Sequence, residues 1–239
     1  RRLLITIGED MVNVAYDSPI DATPRHQIED VERKLFSIAE SGRFEGGFGS
    51  FGDAVTLAVD MAAAAFERSG HLSGVSTGLV DLDRQVGGLQ ASDLIILAGR
   101  PAMGKTSLAT NIAFNIARAY KAETQPDGTI KALDGGVVGF FSLEMSSEQL
   151  ATRILAEQSG VSSSKIRRGD IDEEQFARLA ATAQEMRTLP LFIDQSGGLT
   201  IGQLTARARR LKRQQGLDVL IIDYLQLLQG SGKRLSDSR

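Results

Sequence analysis

The sequence contains no cysteine and only two histidines, His26 and His71, among its 239 residues. Without cysteine there are no disulfide bonds and no thiolate metal ligands, so we expect a reducing compartment and no structural metal. The longest apolar runs fall far short of the roughly 20 residues that a membrane-spanning helix needs. The start of the chain also lacks a cleavage-type signal pattern. The sequence therefore predicts a cytoplasmic protein with no membrane partner.

The chain also lacks an excess of charge of one sign. It has 27 lysines and arginines against 30 aspartates and glutamates, which gives a formal net charge of -3 at pH 7. A uniformly basic surface is thereby excluded, so contact with nucleic acid requires a local patch or channel. With 42% apolar residues, the chain is long enough for one substantial hydrophobic core. Net charge neither supports nor excludes binding to DNA.

One stretch fits a phosphate-binding motif at every fixed position. Residues 99–106 match G-x-x-x-x-G-K-[ST], with an apolar run at 94–98 before them and helically spaced apolar residues after them. In such a loop, backbone N–H groups and a helix N-terminus bind phosphate. Lys105 reaches the β- and γ-phosphates, and the Thr106 hydroxyl ligates Mg²⁺. The flanking elements disfavour the alternative of an ordinary strand-turn-helix connection. The predicted nucleotide-binding residues are Gly99, Arg100, Pro101, Ala102, Met103, Gly104, Lys105, Thr106 and Ser107.

Two acidic residues at the ends of apolar runs are candidates for the rest of this site. Asp223 ends the run at 219–223, and Glu144 follows the run at 137–143. In an open parallel sheet, ligands bind beyond the carboxyl ends of the strands, where both would meet the phosphate loop. We assign Asp223 to the Mg²⁺ side and Glu144 to orienting and deprotonating the attacking water. Alternatively, Asp223 caps a turn and Glu144 only marks the start of the next helix.

The second half of the chain alternates between predicted strands and predicted helices. The strands are predicted at 94–98, 137–142, 191–194 and 219–223. The helices are predicted at 106–119, 147–159, 173–187 and 201–214. Ser146 with Gln149 resembles a capping box, and Thr200 can cap the last helix. This alternation predicts parallel strands with right-handed crossovers. The insert at 121–136 is predicted to be an exposed loop.

The N-terminal segments look different from this alternating region. Residues 2–11 are predicted to be helical and are followed by a connector rich in turn formers. Apolar residues recur every three or four positions in 27–40, which predicts an amphipathic helix. Residues 41–52 carry five glycines among three phenylalanines, and a further helix is predicted at 53–67. The apolar stripe of 27–40 docks on another domain or subunit, or folds back on its own core.

Several segments together point to one family. They are S-T-G at 76–78 with L-D at 82–83, G-L-Q-A-S-D-L at 88–94, the phosphate loop, F-F-S-L-E-M-S at 140–146, P-L-F-I-D at 190–194, A-R-R-L-K at 208–212 and D-Y-L-Q-L-L at 223–228. With them the chain resembles, over most of its length, the replicative hexameric DNA helicases of the DnaB type within the RecA-like ATPases. RecA-type recombinases usually carry Gly where Ser92 stands and lack the F-S-L-E-M and D-Y-L-Q-L segments, which favours the helicase.

The resemblance implies an α/β fold, a RecA-like P-loop ATPase core with a mostly parallel sheet flanked by helices and preceded by a helical linker region. It implies the tail of an N-terminal helical domain at 1–24, a linker helix and glycine-rich connector at 25–52, and an ATPase domain at 53–239. The family's arginine finger and most of its DNA-binding surface lie beyond residue 239. We therefore expect this chain to be a C-terminally incomplete fragment that is catalytically incomplete by itself.

The same resemblance implies cofactors, partners and site residues. The cofactors are ATP and Mg²⁺, Glu144 and Lys105 are the catalytic residues, and Thr106 and Asp223 lie on the metal side. The partners are single-stranded and forked DNA, further copies of the chain in a hexameric ring, a primase and a helicase loader.

Two groups of basic residues bear on DNA contact. The family's first DNA-facing loop would begin at 229–234, where Lys233 and Arg234 suit sequence-independent contact with a phosphate backbone. The alternative is a solvated turn. A second group covers most of the exposed arc of the predicted helix 201–214, and we expect it to be a solvated face. Its members are Arg207, Arg209, Arg210, Lys212 and Arg213.

The function predicted from the sequence is an ATP-dependent replicative DNA helicase, which hydrolyses ATP to translocate on single-stranded DNA and unwind duplex. Two alternatives stay open. A RecA-type recombinase would form filaments on DNA and exchange strands without unwinding. A nucleotide-gated assembly or loading factor would use the ATP site to switch partner binding, and its hydrolysis would be insensitive to DNA.

Overall fold

A computed structural model describes residues 2–17, 27–28, 31, 34–35, 50–67, 72–126, 128 and 130–229. In chain order its helices are α1 (Arg2–Asp17), α2 (Phe51–Glu67), α3 (Val80–Val86), α4 (Lys105–Ala119), α5 (Ser147–Ser159), α6 (Ser163–Arg168), α7 (Glu173–Met186) and α8 (Ile201–Gln215). The strands are β1 (Lys121–Thr124), β2 (Ile130–Asp134), β3 (Val138–Ser142), β4 (Leu191–Asp194) and β5 (Val219–Asp223).

The main sheet has three parallel strands in the order β4-β3-β5. Val138 at the start of β3 lies opposite Leu191 on one side and Val219 on the other. Every residue of β3 is buried, as expected for the central strand of a parallel sheet covered on both faces. The predicted strands at 137–142, 191–194 and 219–223 are thus confirmed, with β3 starting one residue later.

Helices cover both faces of this sheet. Successive side chains of a strand point to opposite faces, so neighbouring residues of β3 pack against different helices. Phe140 packs into a cluster with α4 and α5, while Phe141 packs into another with α8. The first cluster is formed by Ala113, Phe114, Ile116, Ala117, Val138, Phe140, Leu150 and Ile154. The second is formed by Phe141, Leu199, Leu204 and Ala208. The two clusters hold α4 and α8 on opposite sides of β3.

The predicted strand at 94–98 was wrong. These residues have no strand assignment, and Leu94 and Ile96 are 85% and 73% exposed. An apolar run indicates burial, but a strand also needs a neighbour that completes its hydrogen-bond ladder. Among the described residues the sheet ends at β5, which pairs only with β3, so the run at 94–98 has joined no ladder.

The insert at 121–136 was predicted to be a loop and instead contains the antiparallel hairpin β1–β2. Both strands are exposed along their whole length. The alternation of apolar and polar residues that reveals a half-buried strand is therefore missing from their sequence. The hairpin reverses near Pro126 and Gly128, as the turn-forming residues there require.

The remaining helix predictions differ from the structure mainly at their ends. Helix α1 continues to Asp17, beyond the predicted end at residue 11, and the short helix α6 was not predicted. The capping box of Ser146 with Gln149 is present, and Thr200 caps α8. The predicted helix at 27–40 lies mostly outside the described residues. In the described part, no helix is long and apolar enough to cross a membrane.

A buried carboxylate forms several hydrogen bonds with residues 76–77, which precede the phosphate loop in the chain. Asp83 on α3 is 6% exposed and accepts hydrogen bonds from the Ser76 hydroxyl at 2.6 Å and from the Thr77 N–H and hydroxyl at 2.8 and 2.7 Å. The Asn115 amide donates to the Thr77 carbonyl at 3.1 Å, which joins this network to α4. Burial raises the pKa of Asp83, but these hydrogen bonds outweigh burial and hold the pKa below its ordinary value.

We expect Asp83→Asn to lower the free energy of unfolding by about 1–3 kcal/mol, because a buried network loses an acceptor. The measurement is urea unfolding of the full-length protein. Asp81→Asn is the control, since Asp81 lies on the same helix with a side chain that is 95% exposed. The pKa of Asp83 is lower in the folded protein than in the unfolded chain. The ionised carboxylate therefore stabilises the fold above the pKa of the unfolded chain, and this stabilisation is lost as pH falls through the pKa of the folded protein. The variant should therefore approach the wild type in acid. Equal stability at neutral pH would contradict the expectation.

Ser92 has a φ of 73°, in the left-handed region that strains side chains other than glycine. We expect Ser92→Gly to raise the free energy of unfolding by about 0.5–1 kcal/mol, since relief of strain exceeds the added freedom of the unfolded chain. Thermal unfolding measures the change. Ala91→Gly in the same turn, where φ is not positive, should instead destabilise the protein. A lower melting temperature for Ser92→Gly would show that the turn carries no strain.

Candidate nucleotide-binding site

The phosphate loop turns directly into the N-terminus of α4. Gly104, the N-cap residue of α4, has a φ of 85°, and no side chain caps the helix. A Cβ atom at Gly104 would have no neighbour within 4 Å, so the surface beside the helix end is open. The start of α4 thus has no side-chain cap and lies beside an open surface, and a helix N-terminus of this kind can bind anions.

The Lys105 side chain folds back over the loop that precedes it. Its Nζ donates to the carbonyl oxygens of Gly99 and Arg100 at 2.8 and 3.4 Å. Among the described residues, no carboxylate forms an ion pair with Lys105. An anion at the loop could therefore bind this ammonium group without breaking a salt bridge.

A hydrogen bond joins the start of α4 to the end of β5. The Thr106 hydroxyl donates to the Asp223 Oδ2 atom at 2.7 Å, across 117 residues of sequence. Asp223 is 8% exposed. The predicted metal-side pair is therefore brought together, with a hydroxyl oxygen and a carboxylate oxygen in contact.

Glu144 lies on a loop that is tied to the same place. The N–H of Leu143 donates to the backbone carbonyl of Asp223 at 2.9 Å, so Glu144 follows directly after a residue bound to the end of β5. The Ser142 hydroxyl donates to the Met145 carbonyl at 2.7 Å and spans Glu144. The Glu144 side chain is exposed. Glu144 thus comes to the carboxyl edge of the sheet, whereas Lys233 and Arg234 lie outside the described residues.

One basic residue of α8 was wrongly predicted to be solvated. Arg207 is half-buried and donates to both carboxylate oxygens of Asp194, at 3.0 and 2.7 Å, and to the Ser196 hydroxyl at 2.6 Å. Burial raises the pKa of Asp194, but the hydrogen bonds from Arg207 and Ser196 hold it below its ordinary value. The charge pattern along α8 could not reveal the pair, because it depends on where β4 ends.

The residue after Asp194 was also missed. The Gln195 side-chain carbonyl accepts the N–H of Ser147, at the start of α5, at 2.6 Å. Gln195 thereby links the loop after β4 to the loop that carries Glu144. Nothing in the local sequence indicates this contact, because the two residues are 48 positions apart.

The donor set of the loop suits a nucleoside triphosphate with Mg²⁺. The uncapped start of α4 and the Lys105 ammonium belong to the same loop, and Thr106 and Asp223 present the oxygen ligands that Mg²⁺ prefers. Mg²⁺ is usually held by one or two protein groups and the phosphates themselves. The described residues contain no group of three or more His, Cys, Asp or Glu side chains that could hold a metal ion.

The fold belongs to the RecA-like class of ATPase cores. It resembles a solved ATPase domain with a TM-score of 0.64 and 27% identity, over 80% of this chain and 62% of that one. It also resembles a chain of "The Structure Of A DnaB-Like Replicative Helicase And Its Interactions With Primase". There the TM-score is 0.67 at 24% identity, over 99% of this chain and 49% of that one. The fold class predicted from the sequence is confirmed.

The chain belongs to the family of the DnaB-like helicase C terminal domain, whose profile matches residues 74–239. It is 42% identical to the replicative DNA helicase DnaB of Rickettsia bellii (strain RML369-C), over all of this chain and 47% of that protein. It is 34% identical to the replicative DNA helicase DnaC of Bacillus subtilis (strain 168), over 91% of this chain and 45% of that protein. The chain thus spans about half the length of the curated relatives it matches.

We expect Arg207→Gln to lower the free energy of unfolding by about 1 kcal/mol, a modest value because both partners are partly exposed to solvent. Arg210→Gln, an exposed position on the same helix, is the control. Because the folded pKa of Asp194 is lowered, the difference from the wild type should vanish as pH falls through that pKa. Urea unfolding at several pH values measures it. A difference that persists in acid would mean that the charge of Asp194 is not involved.

Proposed function

We propose that residues 99–107 bind the phosphates of ATP, with Lys105 on the β- and γ-phosphates. Thr106 would ligate Mg²⁺, and Asp223 would hold the Thr106 hydroxyl and the hydration shell of the ion. The observation that carries the proposal is the 2.7 Å hydrogen bond between Thr106 and Asp223 beside an uncapped helix N-terminus. It supports a phosphate site and a metal site at one edge of the sheet.

Hydrolysis would depend on positioning and electrostatics. When bound, Mg²⁺ neutralises part of the charge that develops on the phosphates. Lys105 adds a second positive charge, and Glu144 orients the attacking water and accepts its proton. The backbone contact between Leu143 and Asp223 supports this role, because it brings the Glu144 loop to the end of β5.

We further propose that the full-length protein is a cytoplasmic replicative DNA helicase that hydrolyses ATP to move along single-stranded DNA and separate a forked duplex. Residues 1–24 would belong to an N-terminal helical domain, 25–52 to a linker and 53–239 to the ATPase domain. Copies of the chain would form a hexameric ring, with a primase and a loader as partners. The identity to replicative helicases supports the proposal, as does the likeness to a helicase described with primase.

Lys233 and Arg234 are proposed to contact the DNA backbone. Their charge and their small neighbours Ser231 and Gly232 suit binding that is independent of base sequence. Such contacts weaken as salt rises, because counterions released from the phosphates must be displaced again.

The experiment is ATP hydrolysis by the full-length protein with and without single-stranded DNA. We expect DNA to stimulate the wild type and Lys105→Ala to weaken ATP binding. We expect Glu144→Gln to keep ATP binding but lower kcat by about 100- to 10,000-fold. Arg118→Ala at the far end of α4 and Glu148→Gln on α5, both exposed, are the controls and should behave as the wild type.

Three results would contradict the proposal or a part of it. If single-stranded DNA did not change the rate of ATP hydrolysis by the wild type, a DNA motor would be excluded and a nucleotide switch would be favoured. Strand exchange without unwinding would favour a recombinase. If Glu144→Gln hydrolysed ATP at a normal rate, the assignment of Glu144 would be wrong whatever DNA does.

A further inference from the structure

Glu144 lies on neither a helix nor a strand. It lies on the four-residue connection 143–146 between the end of β3 and the start of α5. Within the described part of the chain, no hydrogen bond or ion pair holds its exposed carboxylate. The position of this carboxylate therefore depends on how the backbone of the connection is held.

The β3 side of the connection is held by buried and backbone groups. Ser142 is 1% exposed, and its hydroxyl donates to the Met145 carbonyl at 2.7 Å. Leu143 is bound through its N–H to the Asp223 carbonyl at 2.9 Å. The Leu143 contact fixes the residue before Glu144 relative to β5, and the Ser142 contact closes the turn across Glu144.

The α5 side is held from another strand. The capping box of Ser146 and Gln149 satisfies the Gln149 N–H, and the Ser147 N–H donates to the Gln195 side-chain carbonyl at 2.6 Å. The first N–H groups of a helix have no partner within the helix, so a side-chain acceptor there fixes where the helix starts. Gln195 thus holds the far end of the Glu144 connection.

Gln195 is itself flanked by two anchored residues. Asp194 before it and Ser196 after it both accept hydrogen bonds from Arg207 on α8. The Asp194 carboxylate also accepts the Ser196 N–H at 2.9 Å. The side chains of the residues on both sides of Gln195 are therefore held by one guanidinium group, while the Gln195 side chain reaches the N-terminus of α5.

We propose that Gln195 is a positioning residue for Glu144, which acts by holding the N-terminus of α5 at the end of β4. This inference rests on the proposed function of Glu144. Gln195 is exposed, so water can replace its hydrogen bond at little cost in stability. Water cannot replace its role in fixing the geometry, and a small misplacement of a catalytic group slows a reaction strongly.

The test compares Gln195→Met with Gln195→Glu in the full-length protein. Met has a similar length but no strong acceptor, and we expect kcat for ATP hydrolysis to fall about tenfold with KM and melting temperature unchanged. Glu keeps an acceptor at a helix N-terminus, where negative charge is favourable, and should restore most of kcat. Gln175→Met is the matched control, because Gln175 belongs to the capping box of α7. It should leave kcat unchanged.

A double-mutant cycle that combines Gln195→Met with Glu144→Gln distinguishes an effect on the position of Glu144 from a general distortion of the site. If Gln195 acts through Glu144, the double variant will hydrolyse ATP at the rate of Glu144→Gln alone. A normal kcat for Gln195→Met, a further loss in the double variant, or equal losses for Met and Glu would each overturn the inference. Failure of the proposed function is distinguishable, because Glu144→Gln alone would then hydrolyse ATP normally.

Discussion

The hydrogen bond between Thr106 and Asp223 joins two parts of the chain that form their own local structure independently. Thr106 is placed by the N-terminus of α4, and Asp223 by the end of β5. Packing of α4 against β3 places the Thr106 hydroxyl beside the sheet. The parallel register of β3 with β5 determines where Asp223 lies along the strand direction. Because the donor and acceptor must approach within 2.7 Å, both the packing and the register have to be correct.

The fold could be predicted where burial leaves a periodic pattern. The strands 138–142, 191–194 and 219–223 and the helices between them bury one face or both, so apolar residues recur with the period of the element. The hairpin 121–134 buries neither face and leaves no such pattern. The run 94–98 shows the converse, because its apolar residues indicate burial but cannot reveal whether a neighbouring strand is available.

The candidate site divides in a similar way. The phosphate loop is recognised locally, because its chemistry needs particular residues at fixed spacing. Asp223 and Glu144 could be predicted from the rule that ligands bind at the carboxyl ends of parallel strands. Arg207 and Gln195 could not, since their partners are chosen by tertiary packing. A basic residue on an amphipathic helix and a glutamine in a loop are compatible with many surroundings.

The contact between Leu143 and Asp223 uses only backbone atoms. Any residue except proline can supply the N–H at position 143, and any residue can supply the carbonyl at position 223. Exchanges of side chain at position 143 therefore keep the hydrogen-bonding groups of this link, although the Leu143 side chain also packs against the cluster around Phe141. Insertion or deletion of a single residue between positions 138 and 144 would shift the register and break the link. The backbone link itself thus depends on the length of this segment, while the side chains of β3 are constrained separately by the two core clusters.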